Sequence, residues 1–160
     1  MNSFPGILAV IIVLASGVAG VRADDSPSVS GVGQPSGNSS LDEARLAIKA
    51  KDWKKALASL DLALKAAPRN ADVHNLLGYS YRKQAAPNLP KAFEHYNMAL
   101  KLDPKHKGAH EYIGEAWLMD KKPEEAEKHL AQLAAICGNK TCDEYADLAR
   151  AIAAYKAQNK

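Results

Sequence analysis

The chain has 160 residues, 47% of them hydrophobic, and 21 Lys and Arg against 18 Asp and Glu, a formal charge of +3. That length suits one domain, and so slight a positive excess, with no alternation of basic and aromatic residues on a strand, argues against a nucleic-acid partner. A P-loop, a G-x-S-x-G elbow, an H-E-x-x-H pair and a C-x-x-C-H haem motif are all missing, so the expectation is no enzyme, no cofactor and no catalytic residue.

Phe4 to Val21 is an uncharged run containing Ile7, Leu8, Val10, Ile11, Ile12, Val13 and Leu14, followed by Arg22-Ala23 and then Asp24. Val21-Arg22-Ala23 offers a cleavage site, and residues 1–23 read as a secretory signal peptide. The expected compartment is extracytoplasmic, the bacterial periplasm, with no membrane attachment once the segment is removed. An uncleaved N-terminal membrane anchor is the alternative, because Met1-Asn2-Ser3 supplies no Lys or Arg and the run reaches the lower limit for a bilayer span. No cysteine stands near the cleavage site, which excludes a lipoprotein anchor.

Residues 24–40 read DDSPSVSGVGQPSGNSS, in which Ser, Gly and Pro fill 11 of 17 positions. Too little apolar surface is present to offset ordering, so a flexible tether is expected. Ser40-Leu41-Asp42-Glu43 has the form of a capping box and is expected to open a folded domain over 41–160.

Trp53, Ala56, Leu57, Leu60, Ala63 and Leu64 then follow helical spacing, with Asp52 as N-cap before them and Pro68 beyond their end. Further helices are expected near 71–84, 89–102, 107–120 and 123–135, the last with Pro123 at its first position. Helices this short do not persist alone in water, so packing must supply their stability. Trp53 and Trp117 are expected in the core. A final helix, about 142–157, is expected after a second capping box, Thr141-Cys142-Asp143-Glu144. Its stripe is Tyr145, Leu148, Ala149, Ile152 and Tyr155.

These elements repeat. Ala56, Leu60, Ala63 and Pro68 recur as Ala92, Tyr96, Ala99 and Pro104, and in part as Ala126, Leu130 and Leu133; ahead of them Ala44, Gly78 and Gly114 share one register, and Ala47, Tyr81 and Trp117 another. Small residues at one register let neighbouring helices approach while large ones fill the gaps between. The expected fold is all-α: an α-solenoid of three helix-turn-helix repeats, about 37–70, 71–106 and 107–140, closed by the last helix as a cap over the end repeat.

The central copy, Asn75-Leu76-Leu77-Gly78-Tyr79-Ser80-Tyr81 with Ala92, Tyr96, Ala99-Leu100 and Asp103-Pro104, resembles the tetratricopeptide repeat family, and the resemblance covers about residues 37–140. It implies a protein that binds partners along a concave wall built from the first helix of each repeat. Carried onto this chain, that wall holds Arg45, Ile48 and Lys49, then Asn75, Tyr79, Arg82 and Lys83, then Glu111, Tyr112, Glu115, Leu118 and Met119. The wall is basic at one end and acidic at the other, which favours an extended peptide whose charges run in the complementary order. The carboxylate clamp of some family members is absent, its positions being held by Leu41, Arg45, Leu76, Gly108 and Tyr112.

Cys137 and Cys142 bracket a short turn between the third repeat and the last helix. In an exported protein they most simply form a disulfide that fixes the cap, and the ending also resembles that of small exported bacterial members of the family. A redox pair is the alternative, because Cys142 lies at a helix start, where a thiolate is favoured. His106 and His110 are spaced as ligands on one helix face, but His106 is expected in the turn before the helix. His74 and His110 share one repeat position, which points to packing, and no metal site is expected. The function that follows is an exported adaptor or scaffold for a protein or peptide; a thiol-disulfide protein and a self-associating subunit that stacks through its terminal repeats are the other readings.

Overall fold

A computed structural model describes residues 37–138 and 140–159; the expected signal segment (1–23) and residues 24–36 of the expected tether lie outside them. The described residues form seven helices and no strand: α1 (Gly37–Lys49), α2 (Trp53–Ala66), α3 (Ala71–Lys83), α4 (Leu89–Leu102), α5 (Lys107–Met119), α6 (Pro123–Ile136) and α7 (Asp143–Gln158). They pack as three antiparallel pairs, with α7 lying on both α5 and α6.

Side chains at the helix starts set most boundaries. Asp52 Oδ1 accepts from the Lys55 amide (3.0 Å), Asn70 Oδ1 from those of Asp72 and Val73, and Asn88 Oδ1 from that of Lys91 (3.2 Å). Each relieves an amide that the first helical turn leaves unbonded. Pro123 opens α6 as expected. Two starts differ from the sequence reading. Helix α1 opens at Gly37, so Ser40 is no cap: it lies inside the helix, fully buried, because its place on the helix faces the core. Helix α7 takes Cys142 as its N-cap, with no side-chain capping bond.

The repeat registers become a graded series of contacts. Ala56, Ala92 and Ala126 have no exposed surface. In the first pair Ala44 shares a core with Leu60; in the second Gly78 faces the larger Tyr96, whose ring carbons stand 2.6 Å from where a Cβ would project. Gly114 stands in the same relation to Leu148 of α7, with Cδ2 at 2.6 Å from its absent Cβ. The missing methyl is therefore what admits an aromatic ring in one repeat and the capping helix in the next. Three apolar clusters run along the stack. Tyr81 joins the first to the second, and Trp117, against Phe93 at 4.1 Å between centroids, joins the second to the third. Each fully buried large side chain contributes about 1.5–3 kcal/mol, which replaces the stability that the separate helices lack.

Candidate functional site: the wall of first helices

Helices α1, α3 and α5 present the residues expected on the wall, and the structure brings the central ones into contact. The rings of Tyr79 (α3) and Tyr112 (α5) lie 4.8 Å apart between centroids, and both are half-buried. The Arg82 guanidinium sits 5.5 Å from one ring and 5.7 Å from the other. It is not available to a ligand: Arg82 is only 5% exposed, its Nε donates to Tyr96 Oη (3.2 Å), and its Nη2 pairs with Glu115 at 2.6 Å. Arg82 therefore holds the tyrosine pair in place from behind. Burial pushes the Tyr112 hydroxyl up to about 12, with Glu111 adding to the shift, so it stays a neutral hydrogen-bonding group.

Toward α1, Arg45 is occupied by Asp42 (3.1 Å) and Asp72 (3.6 Å). The basic character at this end comes instead from Lys49, Lys51 and Lys83, which make no ion pair among the described residues. With Ile48, Trp53 and Tyr79 they line a hollow of about 530 Å³. Trp53 belongs here and not in the core: it is half-exposed, edge-on to Tyr79 at 6.1 Å, and absent from the three apolar clusters. As the first residue of α2 it stands beside the α1–α2 connection, where Lys51 takes a left-handed φ of 57° and turns the chain. Trp117 occupies the core as expected.

Toward α7 the wall becomes acidic. Glu111, 9% exposed, has its carboxyl pushed up to about 8, first by burial and then by Glu115, Asp147 and Glu144. Asn75, the equivalent residue of α3, is 6% exposed and its Oδ1 has no hydrogen-bond partner. Leu118 is buried and Met119 exposed. Cys137 and Cys142 lie off this wall in the α6–α7 connection, with sulfurs at the disulfide distance of 2.03 Å.

The histidines pack as repeated pairs. His74 Nε2–H donates to the Pro68 carbonyl (3.1 Å), which leaves its Nδ1 to accept from His95 Nδ1–H (3.2 Å); His110 stands the same way between Pro104 (3.1 Å) and His129 (2.9 Å). His106 is the N-cap of α5, its Nδ1 accepting from the Ala109 amide, and its Nε2 lies 3.0 Å from Asp72 Oδ1. No group of three metal-ligating side chains occurs among the described residues.

A profile described as Tetratricopeptide repeat matches residues 41–107 and again 88–140. The chain belongs to the tetratricopeptide repeat family. Three solved structures share the fold of this repeat protein. The TPR domain of Arabidopsis OM64 is 16% identical with a TM-score of 0.66, covering 75% of this chain and 96% of that one. The TPR2B domain of yeast Sti1, in its complex with pHsp70, is 17% identical with a TM-score of 0.68 over 76% and 97%. The Sgt2 TPR domain of Aspergillus fumigatus is 22% identical with a TM-score of 0.67 over 78% and 80%. No match is found among curated proteins. Repeat domains of this family are protein-interaction modules.

Proposed function

We propose that this repeat protein is an exported, non-enzymatic adaptor that holds one extended protein or peptide segment against the wall of α1, α3 and α5. The observation that carries this reading is the Tyr79–Tyr112 pair, two half-buried aromatic side chains set on neighbouring first helices and braced from behind by Arg82. Rigid aromatic groups placed this way lose little entropy on binding and supply large contact areas. The lysines beside Trp53 and the carboxylates beside α7 give the wall a direction, so a segment with acidic residues over α1 and basic residues over α5 is the favoured ligand. The signal-like run over residues 1–23 supports export, and two cysteines joined by a short loop suit a disulfide in that compartment.

Two measurements test this. The mass of the secreted protein should correspond to a chain beginning at Asp24; a full-length mass with membrane retention would replace export by anchoring. Crosslinking from a photoreactive residue at Tyr79 in the native compartment should capture a discrete protein, and capture equal to that from the convex residue Lys101 would refute the assignment to the wall.

A further inference from the structure

Two pairs of imidazoles bring their Nδ1 atoms face to face, His74 of α3 with His95 of α4 at 3.2 Å and His110 of α5 with His129 of α6 at 2.9 Å. Both pairs occupy one register, a turn ahead of Gly78 and Gly114 in the first helix of the repeat and a turn past Ala92 and Ala126 in the second. The first repeat carries Ser40 and Ser59 at these places, and both are buried. The register therefore does not itself demand an imidazole. The same pair has been built twice where a smaller polar pair packs.

The inner member of each pair is fixed in one tautomer. His74 and His110 are buried and donate Nε2–H to the carbonyls of Pro68 and Pro104, each at 3.1 Å, so their Nδ1 lone pairs are aimed at the partner ring. A metal-bound imidazole is oriented in this way, with its far N–H given to a carbonyl. The outer members, His95 and His129, are half-exposed, and their Nε2 atoms make no hydrogen bond among the described residues. Each is free to carry its proton on Nε2 and offer a second Nδ1 lone pair to the same point. Bonds of about 2.0–2.1 Å from imidazole to one ion set neighbouring nitrogens about 2.9 Å apart at a right angle and about 3.3 Å apart at the tetrahedral angle. The two observed separations fall in that interval. Burial lowers His95, His110 and His129, which keeps these rings unprotonated at neutral pH, as a ligand must be. Carboxylates act on both outer rings, Glu94 and Asp61 on His95 against Lys91, and Glu125 on His129 against Lys128.

We propose that His74 with His95, and His110 with His129, form two equivalent sites for a divalent first-row metal ion, each held by two Nδ1 atoms in neighbouring positions with water completing the coordination. Copper(II) is the preferred ion, because it accepts a tetragonal set of nitrogen and oxygen ligands and heads the divalent series in affinity; zinc(II) binds more weakly in the same place. The ion takes the place of the proton that each pair shares between its Nδ1 atoms. That proton moves to the outer Nε2, and a small turn of the half-exposed ring brings its lone pair onto the ion. Each ion ties the first helix of a repeat to the second and so steadies α3 and α5, which carry Tyr79 and Tyr112. The sites do not depend on what the wall binds.

The test uses the mature protein with nitrogen-15 in its histidines, titrated with zinc chloride and followed through the imidazole nitrogen signals by NMR. Zinc should move the Nδ1 signals of all four paired histidines and leave in place that of His106, whose Nδ1 caps α5. Copper sulfate, followed by electron paramagnetic resonance, should give a spectrum coupled to two imidazole nitrogens per ion, with two such ions per chain. His95→Gln and His129→Gln replace half-exposed rings and should each halve the number of imidazole-bound ions; together they should abolish the two-nitrogen coupling and the rise in melting temperature that zinc gives the wild type. The zinc titration of the wild type needs no variant to fold. Zinc shifts confined to His106, copper coupled to a single nitrogen, or an unchanged number of imidazole-bound ions in the double variant would overturn the sites and return the pairs to packing alone.

Discussion

Replacing Gly114 by alanine sets two effects against each other. Alanine is favoured over glycine in a helix interior by about 1 kcal/mol. The new methyl, however, would stand 2.6 Å from Leu148 Cδ2 and 2.8 Å from Cδ1, and Leu148 has no exposed surface, so relief requires α7 to move. Overpacking of this kind costs about 1–3 kcal/mol, which leaves a net loss of about 1 kcal/mol. Leu148→Ala removes the clashing carbons and opens a void, at a cost of about 3 kcal/mol. In the double variant the methyl at 114 enters part of that void, the clash is gone and the helix preference remains. Its loss should be about 2 kcal/mol where simple addition gives about 4, a coupling of about 2 kcal/mol between the two positions. Urea unfolding of the four proteins, followed by far-UV circular dichroism, measures each corner of the cycle. Losses that add to within about 0.5 kcal/mol would refute the seating of α7 on α5 through this contact.

The histidine pairs predict acid sensitivity. Burial lowers His95, His110 and His129, with the neighbouring histidine adding to it for His95 and His129, and His129 reaches about 4. A histidine lowered in the fold takes up its proton more readily when unfolded, so stability is full above about pH 6.5 and falls as pH drops through about 4; melting temperatures across that range should show it, and His129→Asn should flatten the slope. Tyr96→Phe leaves the buried Arg82 Nε without its acceptor and should cost about 1–3 kcal/mol in the same denaturation assay. Replacing Cys137 and Cys142 together by serine should lower stability by about 2 kcal/mol, from the entropy of the small loop, while partner capture persists. Lost capture with an unchanged melting curve would assign the cysteines a role in function.

The architecture was legible because its signals are local or periodic. Asp52, Pro68 and Pro123 mark helix ends by their own backbone chemistry, and the spacing of Ala56, Ala92 and Ala126 states that the units are alike. What escaped depends on neighbours brought in by the fold. Ser40 has the chemistry of a cap, but its position along α1 turns it to the core. Trp53 is a large apolar residue of the kind that fills a core, yet the first position of α2 leaves its ring edge-on to Tyr79. The burial of Arg82 requires the Tyr96 hydroxyl from the partner helix and Glu115 from the next repeat, and neither distance can be read from spacing. The histidine partners were within reach: His95 and His129 are themselves one repeat apart, as are His74 and His110, and that double coincidence is a pairing signal in the sequence.

The most direct test of the wall as binding surface compares affinities for the captured partner. Wild type, the Tyr79→Ala/Tyr112→Ala variant and the convex variant Lys54→Ala/Lys101→Ala are each titrated after their helical spectra and melting curves have been matched. The loss of buried aromatic anchors costs about 2 kcal/mol or more, so the tyrosine variant should bind well over about tenfold more weakly and the lysine variant as wild type. Equal affinity of wild type and the folded tyrosine variant would contradict the account and move recognition to the convex face, α7 or the N-terminal segment.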